Sequence, residues 1–243
     1  MELTLLFLPL LASIISGFFG KYIGDRNSEI VTSLFVSISS ILSLFIFYNV
    51  IYEGYENNVV IASWINSGSL NVNWSIKIDA LSSVMLVVVT LISSLVHIYS
   101  IGYMSHDPHK PRFMAYLSLF TFAMLTLVTS DNFLQLFFGW EGVGLCSYFL
   151  IGFWFKKDSA NAAAIKAFIV NRVGDFGFAL GIFLIFYLFG TVNYNEVFLL
   201  IPKTLDQEIY FLGINLKSID LICILLFMGA MGKSAQFLLH TWL

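Results

Sequence analysis

Long apolar runs alternate with shorter polar stretches along most of this chain. Seven such runs lie at residues 3–20, 30–52, 80–104, 112–129, 131–155, 162–190 and 219–243. A run of this length predicts a transmembrane helix, because about 20 helical residues cross a hydrocarbon core of about 30 Å. The pattern therefore predicts an all-α membrane protein, a multi-pass transmembrane helix bundle of about seven segments that forms a single domain over residues 1–243.

One connection between the apolar runs follows the period of a β-strand. From Asn71 to Asp79 the sequence NVNWSIKID alternates strictly between polar and apolar side chains. An apolar stretch, VVIASWI, precedes it, and the turn signal Asn66-Ser67-Gly68 separates the two. Alternation on both sides of a turn predicts an extramembrane β-hairpin over residues 58–79. We expect it to pack on the membrane domain or on a neighbouring protein.

The composition supports a membrane location and argues against other classes. The chain is 58% hydrophobic and 11% charged, and its mean hydropathy is +0.86, whereas soluble domains contain about 25% charged residues. A net charge of −3 without a basic patch gives no sign of nucleic-acid binding. Cys146 and Cys223 lie in separate apolar runs, so neither a disulfide nor a zinc or iron–sulfur site is expected.

Basic residues between the apolar runs predict the orientation in the membrane. Loops after the second, fourth and sixth runs contain three: Lys77, Lys203 and Lys217. Loops after the first, third and fifth runs contain six: Lys21, Arg26, Lys110, Arg112, Lys156 and Lys157. The positive-inside rule then places the odd-numbered loops in the cytoplasm or matrix and the N-terminus outside. No basic region precedes the first run, so it predicts a transmembrane helix and not a signal peptide.

Two ionisable side chains fall near the middle of apolar runs. Counted from Asp131, Glu141 lies roughly 15 Å along a helix, about half of the hydrocarbon core. In the last run, Gly229 and Gly232 precede Lys233, and glycines beside an intramembrane charge predict a discontinuous helix facing a cavity. Such charges are functional candidates, although both groups could serve only to join helices. Glu141 is the predicted partner of Lys233.

The sixth apolar run contains three further charges. Arg172 and Asp175 are three residues apart on a helix and can pair, either functionally or as a structural ion pair. Lys166 precedes Asp175 by nine positions and points nearly the opposite way, so it needs another partner or extends to the interface. The same helix predicts close packing through small residues. These are Gly174, Gly177 and Gly181.

Ionisable groups distributed through a membrane domain are typical of proton relays. Two unit charges about 4 Å apart interact by roughly 4 kcal/mol at an effective dielectric near 20, which is enough to switch a proton between sites. We therefore expect that separating Glu141 from Lys233 releases the lysine proton and that bringing them together restores it. His97, about 25 Å along the third helix, belongs either to this relay or to the membrane interface.

Several longer motifs identify a family resemblance. DNFLQLFFGWEGVGLCSYFLIGFW, NRVGDFGF and GKSAQFLLHTWL, with DALSSVML and HIYSIGYM in the third run, resemble the large antiporter-like subunit of respiratory complex I. It is called subunit L in bacteria and subunit 5 in mitochondria. The resemblance covers essentially the whole chain, in order. It implies a membrane subunit of NADH–quinone oxidoreductase that translocates protons while other subunits transfer electrons from NADH to quinone.

The resemblance also implies roles for individual residues. Glu141 and Lys233 match the essential carboxylate and the lysine of the broken helix. Arg172 and Asp175 match the charged pair of the sixth helix, and Lys166 matches the lysine before them. In that family NADH, FMN, iron–sulfur clusters and quinone are bound by partner subunits, so no cofactor is expected in this chain.

The expected partners are other complex I membrane subunits, lipid and protons, in a bacterial or mitochondrial inner membrane. Members of the family continue beyond the point where this sequence stops, at Leu243, so it corresponds to their N-terminal part. Two alternatives remain open at this stage. One is the large subunit of a multisubunit cation/proton antiporter, and the other is a truncated chain that transports nothing.

Overall fold

Six long helices make up most of the protein in the computed structural model, which describes residues 1–211 and 213–243. Each is long and apolar enough to cross a membrane. They are α1 (Glu2–Ile23), α2 (Asp25–Glu53), α3 (Ala80–Tyr103), α4 (Lys110–Val128), α5 (Phe133–Ile151) and α6 (Asp158–Phe189). The fold confirms the predicted multi-pass helical membrane protein, and these helices correspond to the first six predicted segments.

The seventh predicted segment is interrupted in the structure. A short helix, α7 (Tyr194–Leu200), lies in the connection before it, and α8 (Ser218–Lys233) then forms 16 helical residues. Beyond Lys233 three non-glycine residues have positive φ, which no regular right-handed helix contains. They are Ala235, Phe237 and Leu238. The helix therefore breaks directly after the lysine, as the glycines beside it predict.

The predicted hairpin is formed by β1 (Asn57–Ser67) and β2 (Leu70–Ile78), which pair antiparallel. Gly68 adopts a φ of 59° at the turn, a conformation that favours glycine. The bounds agree with the prediction to within one residue. The apolar side chains of β2 at Ile76 and Ile78 are buried against the helices, so the hairpin packs on the membrane domain, one of the two expected locations.

Hydrogen bonds fix this hairpin to the start of α5. The amide side chain of Gln135 bonds to the backbone of Ser75, and the Lys77 N–H donates to the carbonyl oxygen of Thr129 at 2.8 Å. Asn132 caps α5 by accepting a hydrogen bond from the Gln135 N–H at 2.8 Å. The start of α5 is therefore fixed relative to the hairpin.

A second, smaller hairpin lies in the connection between α7 and α8, where the sequence predicts only a loop. It consists of β3 (Glu208–Phe211) and β4 (Ile214–Lys217). Each strand has four residues, which is too short for alternation to stand out from chance. The pair lies directly before α8 and determines how the chain enters it.

The helices that matter for the charged side chains are α5, α6 and α8. Helix α6 packs against both α5 and α8. Its small residues face α8, and a Cβ atom added to Gly174 would lie 2.9 Å from the carbonyl oxygen of Met228. The predicted role of the glycines in close helix packing is thereby observed. This close approach brings Lys233, at the end of α8, beside the charged residues of α6.

Candidate functional site

Four charged side chains from three helices meet in one group, which we call the charge cluster: Glu141, Arg172, Asp175 and Lys233. Arg172 Nη1 donates to Glu141 Oε2 and lies 3.9 Å from Asp175 Oδ2. Lys233 Nζ also lies 3.9 Å from Asp175 Oδ2. Charges of opposite sign therefore alternate from α5 through α6 to α8, and the cluster is neutral when all four groups are ionised.

The predicted ion pair between Glu141 and Lys233 is wrong. Within the described part of the chain, no contact of 4.0 Å or less joins the two groups. Helix α6 packs against both α5 and α8, and its own charges take up the partners on each side. The predicted pairing of Arg172 with Asp175 is present, but Arg172 is shared between two carboxylates.

Three members of the charge cluster, Arg172, Asp175 and Lys233, line a cavity of about 300 Å³ between α4, α5, α6 and α8. Asp175 is 3% exposed, whereas the Arg172 side chain is 47% exposed. One oxygen of Glu141, Oε1, is buried and has no hydrogen-bond partner. A buried carboxylate oxygen without a donor is costly, so Glu141 is suited to accept a proton or a hydrogen bond.

Two neighbours of Glu141 shape the cluster, and neither was among the sequence candidates. The indole N–H of Trp140 donates to Asp175 Oδ1 at 2.6 Å. Gly144 faces the ammonium group of Lys233 so closely that any added Cβ atom would clash with Nζ. A tryptophan beside an intramembrane carboxylate was a usable signal, because a buried indole N–H needs an acceptor.

Two predicted site residues lie outside the charge cluster. Lys166 is exposed on α6 and makes no ion pair within the residues that the structure describes. His97 is fully buried between α3 and α4, where its Nδ1 lies 2.8 Å from the Ser93 carbonyl oxygen and its Nε2 lies 3.0 Å from Ser118 Oγ. The structure does not pair His97 with the charge cluster.

Comparison with known families supports a common origin for the region that holds these charges. Residues 130–243 match the family described as NADH:quinone oxidoreductase/Mrp antiporter, TM. Residues 64–114 match the N-terminal family of NADH-ubiquinone oxidoreductase (complex I), chain 5. Together the two matches include more than half of the chain and all four residues of the charge cluster.

Individual relatives match along the whole sequence. NADH-ubiquinone oxidoreductase chain 5 of Triticum aestivum is 57% identical over 243 residues, which is 100% of this chain and 36% of the relative. NADH-quinone oxidoreductase subunit L of Rickettsia bellii is 51% identical over 99% of this chain and 38% of the relative. The chain thus spans somewhat more than a third of the length of these relatives.

A solved structure shares the fold. The Mrp complex from Dietzia contains a chain that superposes with a TM-score of 0.82 and 23% sequence identity, covering 100% of this chain and 24% of that one. At this identity the likeness shows the arrangement of helices and strands alone.

Proposed function

Because this chain belongs to the family of antiporter-like membrane subunits of NADH–quinone oxidoreductase, we propose that it translocates protons as part of that enzyme. Electron transfer from NADH to quinone takes place in partner subunits, which hold the NADH, FMN, iron–sulfur and quinone sites. The observation that carries the proposal is the charge cluster, four alternating charges within the helix bundle, three of which line a cavity.

The order of charges suggests how a proton moves. A guanidinium does not exchange its proton in proteins, so we assign the exchangeable protons to Glu141, Asp175 and Lys233. When Glu141 accepts a proton, its attraction for Arg172 falls and the guanidinium turns toward Asp175. Asp175 then holds Lys233 less strongly, and the ammonium can release a proton. Arg172 thus transmits the charge state of α5 to α8.

The remaining parts of the proposal concern the surroundings. Lys166 and His97 remain in the proposed pathway as outlying groups, because both are ionisable and lie on helices that flank the cavity or its neighbours. The proposed partners are other complex I membrane subunits, lipid and protons. The proposed location is a bacterial or mitochondrial inner membrane, with the N-terminus outside, as the six basic residues of the odd-numbered loops suggest.

The test is a comparison of E141Q with E56Q in the complete membrane complex. Both substitutions exchange a carboxylate for an amide, but Glu56 is exposed in the connection before β1. We expect E141Q to reduce proton translocation and the coupled NADH–quinone turnover at least tenfold, and E56Q to leave both unchanged. Proton translocation at the wild-type rate in E141Q would refute the proposal.

A second candidate is the large subunit of a multisubunit cation/proton antiporter, because the family matched by residues 130–243 includes Mrp antiporters. The same membranes discriminate between the two. Cation-driven proton exchange without NADH oxidation would support the antiporter. A chain found in no larger membrane assembly would instead support the third alternative, a subunit that transports nothing.

A further inference from the structure

We propose that Trp140 is a positioning residue that fixes the carboxylate of Asp175 and thereby keeps Arg172 and Lys233 on the same oxygen. This inference rests on the proposed function, because it concerns how the charge cluster is held in its working arrangement. Trp140 acts on the cluster through its hydrogen bond to Asp175.

The two oxygens of Asp175 have different partners. Oδ1 accepts the hydrogen bond from the Trp140 indole at 2.6 Å, whereas both cations lie 3.9 Å from Oδ2. An indole N–H only donates and does not titrate. It therefore occupies Oδ1 whatever the protonation state of the cluster, and it leaves Oδ2 as the oxygen that exchanges partners.

The ring of Trp140 is itself held in place. It stacks on Phe178 at a centroid distance of 4.8 Å and an interplanar angle of 10°, and Phe178 lies one turn beyond Asp175 on α6. Lys233 Nζ lies 5.9 Å from the Trp140 ring centroid, within range of a cation–π interaction. One side chain of α5 thus contacts the carboxylate of α6 and the ammonium of α8.

Trp140 and Glu141 are neighbours in sequence on α5. Glu141 accepts a hydrogen bond from Arg172, and Trp140 donates one to Asp175, so adjacent residues of α5 contact both charged residues of α6. Loss of the indole N–H would free Asp175 to rotate and offer either oxygen to Arg172. Arg172 and Lys233 would then no longer share a single oxygen of Asp175, and proton transfer through Asp175 would become slower.

The experiment uses the complete NADH–quinone oxidoreductase and three variants. W140F keeps an aromatic ring on Phe178 but loses the N–H, and W140H keeps a ring with an N–H donor. The control F137L alters a neighbouring ring, which lies 6.0 Å from Phe178 and bonds to no charged group. The carboxylate stretching band of Asp175, assigned with D175N, is measured by infrared difference spectroscopy alongside coupled proton translocation.

We expect W140F to shift the Asp175 band and to slow translocation about tenfold, the scale of one lost charge-assisted hydrogen bond. F137L should leave the band unchanged, and W140H should retain more activity than W140F. An unshifted band in W140F, an equal shift in F137L, or equal losses in W140F and W140H would overturn the positioning role. The infrared band does not depend on proton pumping, so failure of the proposed function would appear separately, as full translocation in E141Q.

Discussion

The side chain of Gln135 pairs with the backbone of Ser75 as a neighbouring strand would. The Ser75 N–H donates to Gln135 Oε1 at 2.9 Å, and Gln135 Nε2 donates to the Ser75 carbonyl oxygen at 2.6 Å. Both residues are fully buried. A single amide group in the first turn of α5 therefore satisfies both backbone polar groups of a residue in the middle of β2.

Replacing this glutamine should destabilise the docked hairpin. In Q135L two buried backbone groups of Ser75 lose their partners, and each unsatisfied group costs about 1–3 kcal/mol. We expect a lower thermal midpoint of the purified complex and faster proteolysis within the β1–β2 hairpin. N71A, at an exposed hairpin position, serves as the control. Equal stability of Q135L and N71A would show that the hairpin is held by apolar packing alone.

Arg172 should not be replaceable by lysine. Its Nη1 bonds to Glu141 and also lies near Asp175, whereas a lysine ammonium is a compact charge that lacks the planar fork needed to serve both. R172K should reduce coupled proton translocation roughly tenfold, on the scale of one charge-assisted hydrogen bond. The measurement is the rate of NADH-driven proton translocation in membrane vesicles, with R112K, on α4, as the matched control. A normal rate in R172K would mean that charge alone is sufficient.

The close contact between α6 and α8 predicts a rescue that depends on position. A Cβ atom on Gly177 would lie 2.8 Å from the Met228 Cγ atom, whereas one on Gly174 would meet the Met228 backbone oxygen. Overpacking of this kind costs about 1–3 kcal/mol. M228A removes the Met228 Sδ and Cγ atoms but keeps the Cβ atom, 2.9 Å away, so it should partly restore the thermal stability of G177A and not that of G174A. Rescue of both variants, or of neither, would contradict the packing described.

Asp79, which precedes α3 outside the membrane, should make stability depend on pH. Burial raises the pKa of this carboxyl, but hydrogen bonds from Ser82 and the nearby Lys77 ammonium outweigh burial and hold the pKa below its ordinary value. Because the folded-state pKa is depressed, the stabilisation is complete above the unfolded value, about 3.9, and is lost as pH falls through the folded value.

The measurement is the thermal midpoint of wild type and D79N between pH 7 and pH 3. Asparagine caps a helix about as well as aspartate, so D79N removes only the charge. Wild type should be more stable at pH 7 by about 0.3–1 kcal/mol, the contribution of an acidic charge at a helix start, and the difference should shrink as the pH falls below about 4. A difference that stays constant with pH would show that the charge of Asp79 contributes nothing.

Much of this fold could be predicted because its helices and its first hairpin follow clear patterns of apolar and polar residues in the sequence. The six long helices and the hairpin around Trp74 correspond to apolar runs and to strict alternation, both of which depend on neighbouring residues only. The β3–β4 hairpin was missed because its strands are too short to carry a period. The Gln135–Ser75 pairing was missed for another reason, since it joins residues 60 positions apart.

The sequence predicted which charged residues belong to the candidate site, but not which of them pair with each other. Counting residues along a helix gives depth, and depth places Glu141 and Lys233 near the same level. Depth gives no information on which helix packs between α5 and α8. The partners were therefore assigned wrongly, because the contact of α6 with both α5 and α8 is a property of the packed bundle. Trp140 was overlooked because uncharged side chains were not considered as parts of the cluster.

The length of α6 differs from the thickness of a bilayer, and the difference falls at one end. Its 32 residues form a helix of about 48 Å, against a hydrocarbon core of about 30 Å. Measured back from Phe189, the end nearest the hairpins, that core ends around position 169. By this count Lys166 falls outside the hydrocarbon core, while Asp175 falls within it. A change in the tilt of α6 would therefore move Lys166 and Asp175 together. Because helix tilt responds to bilayer thickness, the thickness of the bilayer is expected to affect the position of both residues.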